Sequence, residues 1–327
     1  PHDSYTRGRC DKCNAACPHK NITDNICNDC QAEFKELQLY VGDILVTSSN
    51  YSDILGSADS GATASYNPET NTLTLENFNL SGETGICANG SLNIVLKGKN
   101  TIAVSGEEQE GISIFGQAED VKLVIGGDGE LEISSATEDG IYLESWLNCE
   151  AEIKDSVKIK ITAETDGIHI YGAYAGLTVM NNARVEITAV SEGIRLGEYD
   201  AALLVKDNGE IIINGDDEGI YLYNEGDSYV TFTDNAKVSI TTTDEEGIYV
   251  DSDEGDATVT VSGNADVHID ADEEGVEAFD VIVTGGTLDA SGTGAYEGIS
   301  AESLEISGGI VKATGGAEAS AISAEKI

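Results

Sequence analysis

Proline, methionine and tryptophan are nearly missing: 3, 1 and 1 in 327 residues. Positive charge is also short, with 17 Lys and Arg against 60 Asp and Glu and a formal net charge of −43. A chain so negative repels nucleic acid and anionic membrane surfaces, which leaves cations, neutral sugars and basic proteins as the expected partners. It contains no run of about 18 apolar residues, so no membrane insertion is expected. Abundant Thr, Val, Ile and Tyr with so little proline exclude an acidic disordered tail and point to an ordered, β-rich protein. No signal peptide is legible, and Pro1-His2 reads as the trimmed start of a mature chain.

A repeat dominates what is present. Aligned on Gly-Ile, the copies begin at Gly85, Gly111, Gly140, Gly167, Gly193, Gly219, Gly247, Gly275 and Gly298, with a degenerate one at Ala321; the intervals run from 23 to 29 residues. Each copy holds three short stretches of alternating polarity, as in "GIYLES", "CEAEIKD" and "VKIKITAETD", separated by turn pairs such as Asn181-Asn182, Asp207-Asn208, Asp234-Asn235 and Gly285-Gly286. Three strands per coil predict an all-β fold, a right-handed parallel β-helix of about 9–10 coils. A leucine-rich horseshoe would need a recurring leucine and asparagine pattern that is missing. Residues 35–84 are expected to form an N-terminal cap and first coil, and residues 85–327 the repeats. The ending "AISAEKI" lacks a polar cap, so continuation of the chain or packing on a partner is expected there.

Stacked coils lie about 4.8 Å apart, so equivalent positions form columns. Apolar residues one and three places after each glycine should face inward, and those two and four places after it outward. The outward columns carry an aromatic stripe, Tyr142, His169, Tyr171, Arg195, Tyr221, Tyr223 and Tyr249, whose rigid faces suit sugar rings. Cross-strand stacking that only stabilises the sheet is the alternative reading. The position before each glycine is acidic eight times, from Glu110 to Glu297. Like charges so close need an offset, and calcium suits the denser clusters around Asp217, Glu218, Glu245, Glu246, Glu273 and Glu274. Alternatively, these acids bind backbone amides in turns and keep the solenoid soluble. Arg195 beside Asp166, Glu192 and Glu218 offers the residue types of a polysaccharide lyase or hydrolase, but active sites usually interrupt a repeat with long loops, and none is present. A non-catalytic surface is therefore expected.

Residues 1–34 follow other rules. A His and a Cys-x-x-Cys eight residues later occur twice, 17 residues apart: His2, Cys10, Cys13, then His19, Cys27, Cys30, with Cys17 just before the second His. Cys17, His19, Cys27 and Cys30 supply the four ligands of a structural zinc site, and His2, Cys10 and Cys13 an incomplete second set. A ribbon using Cys10, Cys13, Cys27 and Cys30 is an alternative. Disulfides are another, disfavoured by five cysteines, an odd number. So small and polar a segment needs metal or crosslinks to fold. Cys149 aligns with Val121 and is expected to be a buried thiol, not bonded to Cys87.

Residues 39–102 carry Val41-Gly42, Val46-Thr47-Ser48, Asn50, Tyr66, Asn71-Thr72-Leu73-Thr74-Leu75 and Gly98-Lys99-Asn100-Thr101-Ile102. With the Cys/His head, this resembles a β-helix module of large cell-surface proteins from anaerobic Gram-positive gut bacteria. The resemblance implies a β-helix, an extracellular, cell-surface or cell-wall location, and carbohydrate-binding or adhesin roles toward a polysaccharide or host glycan, in some relatives with calcium. A passive surface stalk is compatible with it. It carries over no catalytic residue.

Overall fold

The structure is a computed structural model that describes residues 5–6, 9–10, 22–23, 26–28, 35–56 and 62–327. It is an all-β parallel solenoid. Ten strands of one ladder, from Ile86–Asn89 to Ile322–Lys326, stack in parallel on the Gly-Ile repeat, with Ile86, Ile112, Ile141, Ile168, Ile194, Ile220, Ile248, Val276, Ile299 and Ile322 as successive partners. A second ladder runs from Thr72–Glu76 through Leu92–Lys97, and a third from Asn79–Gly82 through Lys99–Val104 to Ile310–Thr314. In Ile168–Val179, Ile194–Val205, Val276–Val283 and Ile299–Ile306 the first and second strands merge into one, so the corner between them is smoothed away. The three-strand reading expected a turn there in every coil.

Alternation explains the core. In Lys158–Ala163 and Arg184–Ala189, every second residue is buried, and Ile133, Ile161, Ile187, Ile213, Ile240 and Ile269 form one continuous interior column of the third ladder. The repeat glycine has a specific cause here. A Cβ on Gly219 would overlap the Ile240 Cγ2 methyl, and the same clash recurs between Gly193 and Ile213, and between Gly247 and Ile269. Glycine lets each coil close against its own third strand.

Turns are stacked as well. Asp155, Asn181, Asp207 and Asp234 have φ between 57° and 64°, a left-handed conformation that Asp and Asn tolerate. Each of the last three accepts a hydrogen bond from the backbone N–H of its predecessor at 3.2 Å. Beside them Asn208 donates to Asn182, Asn235 to Asn208 and Asn264 to Asn235 through side-chain amides at 3.0–3.2 Å.

Two antiparallel hairpins close the N-terminal edge. Glu36–Val41 pairs with Ile44–Thr47 and lies antiparallel on Ile86–Asn89, and Thr63–Asn67 pairs with Thr72–Glu76. Reversed strand direction ends the parallel stacking and covers the edge. The second strand of the third ladder, Lys99–Val104, buries Asn100, whose side chain accepts from Phe78 N at 2.9 Å and donates to the Lys97 and Glu130 carbonyls. Cys149 pairs with Val121, is buried, and its thiol is pushed up to about 12 by burial; Cys87 and Cys149 are both free.

In the head, Tyr5–Thr6 pairs with Arg9–Cys10 and Ile22–Thr23 with Ile26–Cys27, two hairpins in the 17-residue spacing of the sequence repeat. The side chains expected to bind zinc, those of His2, Cys10, Cys13, Cys17, His19, Cys27 and Cys30, lie outside what is described.

Gly219→Ala should destabilise the solenoid by about 1–3 kcal/mol through overpacking against Ile240. Chemical denaturation followed by circular dichroism measures it, and an unchanged midpoint would contradict the close-packing explanation.

Candidate functional site

The first ladder builds its outward face by register. Tyr142 pairs with His169, His169 with Arg195, Arg195 with Tyr221 and Tyr221 with Tyr249. The parallel strands place these side chains in one column at one-coil intervals. They contact one another. Tyr142 meets the His169 ring edge-on with centroids 5.2 Å apart, the Arg195 guanidinium lies 5.4 Å from the Tyr221 centroid, and Tyr221 and Tyr249 stack at 5.5 Å with planes 12° apart. The ring faces inside this column are therefore largely covered by neighbours.

The next column outward differs. Tyr171 and Tyr223 are 38% and 44% exposed, and Gly197 occupies the equivalent position of the coil between them. A groove of about 360 Å³ lies over Arg195 and Tyr221, walled by Tyr171 and Tyr223 and lined by the Gly197 backbone, with Glu144 and Glu198 beside it. A Cβ on Gly197 would collide with the buried Asn224 side chain, so glycine there makes room for Asn224. Hydrogen bonds orient the ring hydroxyls: Tyr223 donates to Asp253 at 2.9 Å, Tyr142 to Glu144 at 3.2 Å and Tyr249 to Asp251 at 3.1 Å.

The acidic column before the glycines is not a solvent-facing ladder throughout. Asp139, Asp166, Glu192 and Glu246 are buried, because the turn folds these side chains back against the next coil. Asp139 accepts from the Thr165 hydroxyl and from Asp166 N at 3.0 Å, and Asp166 accepts from Glu192 N at 3.2 Å. His169 Nδ1 lies 3.2 Å from Asp139 and 3.3 Å from Asp166, and Arg195 donates to Glu192 at 3.0 Å. Burial makes charging Asp139 costly, but hydrogen bonds from His169 and Thr165 outweigh it and hold its carboxyl below the usual range. Asp166 goes the other way: burial first, then the neighbouring Glu192, drives its pKa well up.

Of the residues expected to bind calcium, Glu245, Glu246 and Glu273 bring oxygens within 4.8 Å of one another. Glu246 and Glu274 form a second such group with Glu277. Asp217 and Glu218 belong to neither. From sequence alone, Glu277 is not grouped with the acidic clusters, nor Asp139 and Asp166 with His169, although the aligned columns place Glu277 in the outward strand beside Glu274 and put His169 three residues from Asp166. Burial first, then the charges of Glu277, Glu218 and Glu273, push Glu246 up to about 7. Burial, then the charges of Glu277, Glu273 and Glu297, pushes Glu274 to about 7.

The chain matches no protein-family model, no curated protein and no solved structure.

Glu246 and Glu274 have folded-state pKa values above the ordinary 4.5, so between about 4.5 and about 7 the folded chain binds more protons than the unfolded one. Their contribution is present at low pH and lost as pH rises through that window. Lowering pH from about 7.5 to about 5 should thus raise the melting temperature. A steady fall over the same range would show that these carboxylates are charged and paired.

Proposed function

We propose that this protein is an extracellular or cell-surface, non-catalytic polysaccharide-binding β-solenoid, and that the groove between Tyr171 and Tyr223 is where the sugar binds. One observation carries the reading: two exposed tyrosines two coils apart, Tyr171 and Tyr223, flank a groove with the Gly197 backbone between them. With coils about 4.8 Å apart, that separation is roughly 10 Å along the axis, room for one sugar ring between two aromatic side chains. Glu144 and Glu198 supply acceptors for sugar hydroxyls, and the Arg195 guanidinium on the floor supplies donors.

Non-catalytic binding is favoured because the groups able to move protons are committed to one another. His169 faces Asp139 and Asp166, and Arg195 is engaged by Glu192 and Tyr221. Calcium fits the same reading as a cation for Glu245, Glu246, Glu273, Glu274 and Glu277; burial and neighbouring carboxylates raise the cost of charging Glu246 and Glu274. It would hold adjacent coils together and firm the sheet that presents the groove.

A glycan array probed with and without calcium tests the class of ligand. Tyr171→Ala combined with Tyr223→Ala should weaken a binding glycan roughly tenfold or more while leaving the melting temperature nearly unchanged, since both side chains are exposed. Tyr221→Ala, which removes the stack with Tyr249, should instead lower stability. Unaltered affinity in the double variant would move binding elsewhere; absence of binding to any glycan would leave a passive stalk; and release of unsaturated or reducing ends would make the groove an active site.

A further inference from the structure

We propose that Asp139, Asp166 and His169 form a binding site for a divalent transition metal ion, with zinc as the probe. The site is independent of the glycan reading. Its three donor atoms all lie within 4.8 Å of one another, and His169 Nδ1 stands 3.2 Å from Asp139 Oδ2 and 3.3 Å from Asp166 Oδ2. In a tetrahedral zinc site with bonds of about 2.0–2.2 Å, neighbouring donors are separated by about 3.3–3.6 Å. The two N···O separations are already near that edge length.

Nδ1 forms a hydrogen bond with Asp139 Oδ2, and Asp166 Oδ2 lies at ion-pair distance from the same nitrogen, so the single ring hydrogen serves one of the two carboxylates. A cation lying among the three atoms serves both. The remaining carboxylate oxygens are fixed from behind: Asp139 Oδ1 by Asp166 N and the Thr165 hydroxyl, Asp166 Oδ1 by Glu192 N. Such outer hydrogen bonds orient metal ligands.

A sequence feature marks the same place. The residue before the repeat glycine is Glu at 110, 192, 218, 246, 274 and 297 and Asp only at 139 and 166, the two coils that meet the outward column's one histidine. The shorter acids make space where the imidazole enters. An imidazole donor favours zinc, copper or nickel over calcium and magnesium. Three protein donors leave a fourth position for water, and the His169 side chain, 21% exposed, keeps it open to the groove.

The test uses the full chain in excess calcium, which occupies all-oxygen sites. Cys10→Ser, Cys13→Ser, Cys17→Ser, Cys27→Ser and Cys30→Ser together remove all of the head's candidate thiolates. Calorimetric titration of that variant with zinc should show one site, and cobalt should give d–d bands without a sulfur charge-transfer band. Adding His169→Gln should weaken the site by roughly tenfold or more, as should Asp139→Asn, with the β-sheet circular dichroism spectrum retained. Absence of zinc binding in the head variant overturns the proposal. So does unchanged zinc affinity in both His169→Gln and Asp139→Asn, even with a lower metal-free melting temperature, which would make the cluster a hydrogen-bonded strut.

Discussion

The contact between the coil-opening glycine and an isoleucine methyl of the third ladder, repeated through six successive coils, sets the geometry of everything else. From Gly111 against Ile133 to Gly247 against Ile269, a Cβ at the glycine would strike that methyl, so only a bare backbone lets the coil close. With the glycines in line, coil-to-coil hydrogen bonds keep one register, Gly167 N to Glu192 O and Gly193 N to Glu218 O among them. A slip of one residue would turn every interior side chain outward, so burial enforces the register that the glycine permits. The outward columns inherit their order from it.

That order forces like groups together, and the protein answers in different ways along its length. Aromatic residues in adjacent coils gain from proximity, and Tyr221 stacks on Tyr249. Carboxylates in adjacent coils repel. Near the middle the offsets are an imidazole beside Asp139 and a guanidinium on Glu192. Further along, no basic side chain among the described residues pairs with Glu246, Glu274 or Glu277, and burial together with the neighbouring carboxylates raises their pKa values. The third ladder answers differently again: Lys158 reaches Glu130, and Arg184 pairs with Glu186 and Glu210, so charges of opposite sign meet across coils.

Most of the fold was legible because a repeat turns a linear alignment into a lateral one. Aligning Gly-Ile was enough to pair Tyr142 with His169 and Cys149 with Val121, both found as neighbours. Alternation likewise separated inward Ile248 and Val250 from outward Tyr249. Three things were not legible. Period-2 reasoning applies to strands, and the acids before the glycines are in turns, so the burial of Asp166 has no periodic signature. Merging of two strands in Ile168–Val179 depends on the corner's backbone path, which composition does not encode. An outward aromatic column says nothing about whether ring faces meet each other or solvent, yet that difference separates Tyr221 from Tyr171.

The column Tyr171, Gly197, Tyr223 shows how a repeat surface becomes uneven in whole steps. A uniform column would present a continuous ridge; this one leaves a notch whose width is a whole number of coils. Notches in such a lattice move only in steps of about 4.8 Å, the coil spacing. Adding or deleting one coil between two of them would change their separation by that fixed increment, so the face of the solenoid is ruled in divisions of a single turn of its own backbone.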